Sequence, residues 1–254
     1  MAESATYEPQ NPTPTDAVTR TGAGRTRRPT LSLIMIVRDE AENIPAVLGP
    51  LQGKFDEVIV VDTGSVDNTV ELAREHGATV HFFEWINDFA AARNESIRHA
   101  TGDWLFWLDA DDRMSGGEVD RLRSLIALHP DSDVAYYCHL RSLGVSWTNE
   151  QNLLQVRLFP NIPDVGFVGE VHERIAESLR GLGVRIEPSP VEIVHVGYVD
   201  TEALPEKYAR NLEIMTRMLD ENPRELQTRY QMIMQLAAMG ETEATLEHLE
   251  ILGE

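Results

Sequence analysis

The chain has 254 residues and a formal net charge of -20, because 42 acidic residues outnumber 22 basic ones. This balance argues against a nucleic-acid-binding protein, whose affinity depends on lysines and arginines that neutralise phosphates. It also argues against docking on anionic lipid through a basic face. Hydrophobic residues make up 42% of the chain, enough for one large domain or for a domain with an appendage.

Cysteine content and hydropathy bear on the compartment. The one cysteine, Cys138, cannot form an internal disulfide and is interpreted as a small buried strand residue of a protein in a reducing compartment. No apolar run approaches the roughly 20 residues that span a bilayer. We therefore expect a cytoplasmic protein without a transmembrane segment. Residues 1–29 hold no apolar signal-peptide core, are rich in Thr, Pro, Ala and Gly, and are predicted to be disordered.

From residue 31 onward, short apolar runs alternate with helical segments. Four runs are predicted to be strands: residues 32–37, 57–61, 79–83 and 103–108. Three segments are predicted to be helices: residues 68–75, 90–100 and 117–128. Continuous runs rich in Val and Ile suit strands that are covered on both faces. The order predicts an α/β fold with an open, mostly parallel sheet flanked by helices.

The second half of the chain predicts three more strands and a helical C-terminal segment. The strands are residues 135–142, 153–159 and 191–196. The helices begin at residue 206 and are interrupted near Pro223 and at Gly240. Several residues of this segment resemble the packing positions of a tetratricopeptide repeat (TPR): Tyr230, Met234, Ala237, Gly240, Ala244 and Leu249. The alternative is an ordinary helical hairpin.

A single repeat cannot bury its own hydrophobic face. The segment must therefore pack on the sheet domain, associate with itself or a protein partner, or continue into further repeats. The chain ends where the next repeat would begin, which favours truncation. The sequence thus predicts a disordered segment at 1–29, a sheet domain at 30–200 and a TPR-like helical segment at 201–254.

Three carboxylates follow the fourth predicted strand within four positions. Asp109, Asp111 and Asp112 come directly after the apolar run Trp104–Leu108. Ligands bind at the carboxyl ends of strands in open α/β sheets, and each carboxylate raises the cost of ionising the others. Asp109 and Asp111 can both reach one hard cation, such as Mg²⁺ or Mn²⁺, that also binds phosphate. The alternative is a polar loop that uses Asp as a turn former.

Other polar residues give candidates that are weaker when each is considered alone. A carboxylate at Asp62 can accept from a nucleobase imide and Gly64 permits close backbone approach, although a plain capped turn has the same pattern. Arg93 can bind phosphate through its fork of donors, or lie at the surface. Glu173 and the histidines His172 and His195 are candidates for a general base and a metal ligand. A lone His is more often a satisfied core or surface residue.

Taken together, these residues resemble the family-2 glycosyltransferases of GT-A fold, and in particular a TPR-bearing bacterial subgroup that includes peptide S-glycosyltransferases of glycocin pathways. The matching stretches are SLIMIVRDEAENI, VIVVDTGSVDNTVELA, FAAARNESIRHATGDWLFWLDADD, RLFPN with GEVHE, and HVGY. They cover about residues 31–200 in the family's order and spacing. The resemblance implies a hexosyltransferase that moves a sugar from a nucleotide-sugar donor, with UDP-sugars favoured, to a peptide, protein or glycan acceptor with inversion.

The resemblance also implies a donor site, residue by residue. Asp62, in the same turn as Gly64, is implied to contact the nucleobase. Arg38 and Glu40, after the first strand, are implied to form the edge of the nucleotide pocket. Arg93 is implied to bind the donor.

The remaining roles concern the metal and the base. The resemblance implies Mn²⁺ or Mg²⁺ as the cofactor, with Asp109 facing the ribose and the metal, Asp111 binding the metal and His195 as a late third ligand. Glu173 is implied to be the base that deprotonates the acceptor, with His172 as the competing base.

Two positions depart from the family's pattern. Asp39 stands where the family usually has Asn, which weakens that position as a pocket residue. Asp112 stands where the family usually has Glu, and the shorter acid keeps the charge but changes its reach.

The sequence leaves two alternative functions open. A sugar nucleotidyltransferase usually carries a Gly-rich, basic loop after the first strand, and VRDEAENIP has no glycine there. A TPR-bearing adaptor on an inactive transferase domain is the second rival, and the intact acidic and histidine residues argue against it.

Overall fold

The computed structural model describes residues 27–129, 133–142, 151–196 and 204–252. Within them, eight strands form one sheet: β1 (Leu31–Val37), β2 (Glu57–Asp62), β3 (Thr79–Phe82), β4 (Trp104–Trp107), β5 (Asp112–Arg113), β6 (Val134–Ser142), β7 (Gln151–Pro160) and β8 (Arg185–His195). The predicted disorder of residues 1–29 lies, through residue 26, outside the described residues.

The sheet has the order β3-β2-β1-β4-β7-β6-β8-β5, and only its first half is parallel throughout. β3, β2, β1 and β4 pair in parallel, so their carboxyl ends meet at one edge. β7 runs antiparallel to both β4 and β6, β8 runs parallel to β6, and β5 runs antiparallel to β8. Residues 143–150 join β6 to β7, fewer than the dozen or so that a parallel crossover requires. The predicted α/β class is confirmed, and the sheet as a whole is mixed.

Eight α-helices accompany the sheet in the described parts of the chain: α1 (Ile44–Leu48), α2 (Thr69–Glu75), α3 (Phe89–His99), α4 (Gly116–Leu128), α5 (Ala176–Gly181), α6 (Leu204–Glu221), α7 (Leu226–Met239) and α8 (Thr242–Leu252). Sequence periodicity did not predict α1, α5 or the two-residue β5, because such short elements carry too few periodic positions. It also missed the first half of β8, where Pro188 and Pro190 argue against a strand.

Both faces of the central strands are buried, as their continuous apolar runs predict. Trp104 and Phe106 pack in the core on one face of β4, while Leu105 and Trp107 pack in the core on the other. Cys138 is fully buried, and burial raises the pKa of its thiol to about 11, which confirms the expected inert strand residue. None of the helices in the described part of the chain is long and apolar enough to cross a membrane.

The helical segment packs on the sheet domain. Ile214, Met215 and Leu219 of α6 share a buried cluster with Val171, and Trp85 and Phe89 pack against this cluster. Three of the TPR-like positions are exposed rather than packed against the sheet domain. The exposed fractions of Tyr230, Met234 and Leu249 are 51%, 55% and 45%. Of the three arrangements expected for this segment, the structure shows contact with the sheet domain.

Candidate active site

Pairing between the short strand β5 and the end of β8 builds the acidic centre. Asp112 and His195 are paired residues in this ladder. His195 Nδ1 lies 2.9 Å from Asp112 Oδ1 and 3.5 Å from Asp111 Oδ1. The backbone N–H of Asp109 donates to Asp112 Oδ2 at 2.9 Å, which fixes the turn after β4. The antiparallel ladder therefore brings a histidine from far along the chain to the carboxylates.

Asp111, Asp112 and His195 offer ligand atoms within 4.8 Å of one another, which makes them a candidate centre for a divalent cation. The side chains of Asp111 and His195 are 16% and 17% exposed, whereas that of Asp112 is fully buried. A metal-binding histidine is commonly oriented by a carboxylate that accepts from its other ring nitrogen. Asp112 contacts Nδ1 of His195 in this way, and Asp111 presents a partly exposed carboxylate beside them. Mixed carboxylate and imidazole donors fit Mn²⁺ or Mg²⁺ with substrate oxygens completing the shell.

Electrostatics at this centre favour a bound cation. Burial raises the pKa of Asp111, and the charge of Asp109 raises it further. Burial lowers the pKa of His195, but the hydrogen bond with Asp112 and the charges of the carboxylates outweigh it and leave this pKa raised. The raised pKa of His195, and the part of the Asp111 shift that comes from Asp109, reflect negative charge that a divalent cation would offset.

Asp109 faces two arginines. Arg93 Nη2 donates to Asp109 Oδ1 at 3.0 Å, and Arg157 Nη2 donates to Oδ2 at 3.4 Å. Burial acts to raise the pKa of Asp109, but the charges of Arg93 and Arg157 prevail and hold it at about 2. Asp109 is therefore ionised at neutral pH. The set of ligand atoms within 4.8 Å of one another includes Asp112 but not Asp109. The role of Asp109 as a metal ligand therefore stays a prediction.

Arg93 connects the acidic turn to the predicted base. Its Nε donates to Glu173 Oε1 at 2.8 Å, and its guanidinium lies 4.0 Å from the centre of the Trp107 ring. Small neighbours, Ala90 and Ala92, let α3 approach the sheet closely enough to bury this arginine. One rigid fork of donors thus fixes both Asp109 and Glu173.

The loop that carries Glu173 is held by its own backbone. Val168 and Arg174 exchange two N–H to O=C hydrogen bonds of 2.9 Å, which closes the loop. Gly169 has φ +94°, a conformation that favours glycine. His172 also lies in the left-handed region, at φ 54°, and is exposed beside Glu173. Desolvation lowers the pKa of His172, so its imidazole is neutral at pH 7.

Arg157 is a part of the site that sequence reasoning missed. Its side chain is 1% exposed, its Nη1 lies 2.9 Å from Asp112 Oδ2, and its guanidinium stacks 3.5 Å from the centre of the Trp107 ring. The signal was present in LLQVRLFP, where one arginine interrupts an apolar strand. A buried arginine requires anionic partners, so the carboxylates after β4 were the natural candidates.

Replacing Arg157 by methionine is expected to lower the free energy of unfolding by about 3–5 kcal/mol, because it leaves Asp112 buried without its counter-charge. Urea unfolding measures this change. The double variant Arg157→Met, Asp112→Asn removes both charges and is expected to recover part of the loss. A loss under about 1 kcal/mol, as at an exposed ion pair, would contradict this account.

The predicted nucleobase contact lies in the turn after β2. Asp62 is 5% exposed, and its carboxylate accepts from the N–H groups of Gly64 at 3.1 Å and Ser65 at 3.2 Å. Gly64 has φ +106°, a conformation that favours glycine, and the close approach of a ligand at this position stays a prediction. Asp62 supports its own turn, and its contact to a nucleobase stays a prediction.

The segment after β1 forms the neighbouring rim. Asp39 adopts φ 54°, which Asp and Asn tolerate best, and its Oδ1 accepts from Val66 N at 2.7 Å. Burial raises the pKa of Glu40. The hydrogen bond of 2.8 Å that Asn43 donates to the Glu40 carboxylate acts to lower this pKa, and the charge of Asp111 raises it further. Arg38 is half exposed. Glu40 thus faces the acidic centre, while Arg38 lies at the outer rim.

Comparison with known proteins agrees with this architecture. Residues 32–168 match the model of Glycosyl transferase family 2. A TPR repeat-containing protein of Synechococcus elongatus is 39% identical over 175 residues, 66% of this chain and 42% of that protein. Glycosyltransferase SunS of Bacillus subtilis is 27% identical over 213 residues, 80% of this chain and 49% of SunS. The chain therefore spans just under half the length of these relatives.

Solved structures share the fold. Glucosyl-3-phosphoglycerate synthase from Mycobacterium tuberculosis, in complex with Mn²⁺, UDP and glucosyl-3-phosphoglycerate, has a TM-score of 0.53 at 18% identity over 76% of this chain and 79% of that chain. This likeness confirms the predicted GT-A fold. Since the family model covers more than half of the 254 residues, the chain belongs to Glycosyl transferase family 2.

Proposed function

We propose that this chain is a metal-dependent, inverting glycosyltransferase that uses a nucleotide-sugar donor, with UDP-sugars favoured, and a peptide, protein or glycan acceptor. One observation carries the proposal: a single guanidinium, that of Arg93, links Glu173 to Asp109 at the sheet edge where Asp111 and His195 offer metal ligands. The proposed base, the proposed donor-binding arginine and the candidate cation site would thus act at one edge of the sheet. The complex of the Mycobacterium tuberculosis synthase with Mn²⁺ and UDP supports this choice of ligands.

The residues divide the chemistry between them. Asp111 and His195 would hold Mn²⁺ or Mg²⁺, which supplies positive charge to the leaving diphosphate when bound. Asp62, Gly64, Arg38 and Glu40 form the nucleotide side of the pocket, and Asp109 would face the ribose and the cation. Arg93 keeps Asp109 and Glu173 in fixed orientations.

Glu173 is the proposed base. Its carboxylate accepts the proton of the acceptor nucleophile while that nucleophile bonds to the anomeric carbon. The bond from this carbon to the diphosphate oxygen breaks on the opposite face, which inverts the configuration. The pairing with Arg93 orients the carboxylate, and His172 beside it is the competing base.

We also propose a division into a GT-A domain at about residues 30–200 and a TPR-like segment at 201–254. Relatives that include a TPR repeat-containing protein support it. Helical repeats present extended concave surfaces, which favours a peptide or protein acceptor, or a protein partner, at this segment.

Thermal unfolding with nucleoside diphosphates tests the proposal. We expect UDP to raise the midpoint in the presence of Mn²⁺ and not in the presence of EDTA, because the acidic centre repels the diphosphate without its cation. At 100 times the dissociation constant, the stabilisation should be about 2.7 kcal/mol. If neither UDP nor GDP shifts the midpoint of folded protein with Mn²⁺, the adaptor function replaces this one.

A further inference from the structure

Helix α6 of the C-terminal segment places two cations along the candidate active site. Lys207 and Arg210 are three residues apart and so lie on one face of the helix. Lys207 Nζ lies 3.9 Å from Asp111 Oδ2, within the acidic centre. The charge of Lys207 also acts to lower the pKa of Glu40 on the rim after β1. The helical segment therefore reaches the same sheet edge as the proposed donor site.

Arg210 carries a charge that its surroundings do not balance. Its guanidinium lies 5.0 Å from the centre of the Phe89 ring, one turn before Arg93 on α3. Its Nε is buried and has no hydrogen-bond partner among the residues that the structure describes. Burial lowers the pKa of Arg210, and the charge of Arg38 lowers it further. Two like charges and an unused buried donor indicate a place for an anion.

A third basic residue of α6, Arg217, also has a buried Nε without a hydrogen-bond partner among the described residues, but its charge is balanced by a carboxylate. Arg217 Nη2 donates to the carboxylate of Glu170 and to the carbonyl oxygen of Asn87 at 3.1 Å. These two acceptors belong to the sheet domain, so Arg217 fastens α6 to it. Arg210 has no carboxylate of this kind within ion-pairing distance in the described part of the chain, although it sits nearer the acidic centre.

We propose that Lys207 and Arg210, together with Arg38, bind the diphosphate of the nucleotide-sugar donor, so that the helical segment completes the donor site. This inference rests on the proposed function. An acidic centre that holds one divalent cation still meets a diphosphate with excess negative charge. The cations of α6 would balance that excess, and Lys207 would exchange Asp111 for a phosphate oxygen.

Isothermal titration of UDP and UMP at saturating Mn²⁺ tests this inference. Lys207→Met and Arg210→Met are each expected to weaken UDP binding about tenfold, since each removes a charged hydrogen bond. The loss should be smaller for UMP, which has one phosphate fewer. Arg224→Met is the matched control, because this exposed arginine follows the far end of α6 and carries the same charge.

Three outcomes are decisive. If wild-type protein binds neither UDP nor GDP with Mn²⁺, the proposed function fails and this inference fails with it. If wild type binds UDP and both variants bind it within twofold of wild type, this inference alone is overturned. If Lys207→Met tightens Mn²⁺ binding and leaves UDP binding unchanged, Lys207 only neutralises Asp111. Because Lys207 is partly exposed, that variant carries the test even if Arg210→Met does not fold.

Discussion

Replacing Asp111 by asparagine is expected to abolish metal-dependent binding of UDP and to lower turnover by roughly 10²-fold or more. Asp111 is the accessible carboxylate of the group formed with Asp112 and His195. An amide offers one weak oxygen where the cation requires a charged ligand. Titration of Mn²⁺ followed by a sugar-nucleotide turnover assay measures both losses.

The same change is expected to leave the folded protein equally stable or more stable. Burial and the charge of Asp109 raise the pKa of Asp111, so ionising this carboxyl is less favourable in the native state than in the unfolded chain. A carboxyl group whose pKa is raised by folding destabilises the native state at pH values above its unfolded pKa. An uncharged amide at this position removes that destabilisation. Urea unfolding without metal should therefore show no loss, which separates a functional defect from misfolding.

Asp120→Asn is the matched control for Asp111→Asn. Asp120 is an exposed carboxylate on α4 that lies 3.3 Å from Lys54 Nζ, and its removal should change neither binding nor turnover. Turnover that survives in Asp111→Asn would rule out the metal site as proposed. The adaptor function would require wild type itself to be inactive.

The sequence predicted the parallel half of the sheet because continuous apolar runs there end in charged turns. Asp109 and Asp111 could be assigned to one edge for this reason alone. The pairing of Asp112 with His195 could not be predicted, because β5 has two residues and no periodicity. A residue 83 positions away supplies its partner.

The site also depends on contacts that leave little trace in a local pattern. In the sequence, Arg157 is an isolated charged residue within a predicted strand. Only the antiparallel pairing of β7 with β4 shows that it lies beneath the acidic turn. Lys207 and Arg210 belong to a helix whose amphipathic pattern predicts burial of one face but not which surface it covers. Tertiary packing, rather than propensity, decides these positions.

Glu173→Gln is expected to lower kcat by roughly 10²–10⁴-fold while binding of UDP and Mn²⁺ stays unchanged, because the amide cannot accept a proton. Glutamine keeps the length of the side chain, and its carbonyl oxygen can still accept from Arg93. The variant therefore retains the orientation of Arg93 and Asp109 and removes only the basic group.

His172→Asn is the paired variant, since His172 is adjacent, exposed and neutral at pH 7. Asparagine tolerates the positive φ of this position, so the loop should keep its shape. We expect its kcat to stay within a few-fold of wild type. If instead His172→Asn loses activity and Glu173→Gln keeps it, the imidazole is the base and Glu173 only positions Arg93. The two roles predict opposite patterns because Glu173 is ion-paired to Arg93, whereas the exposed imidazole of His172 has no ion pair or hydrogen bond among the residues that the structure describes.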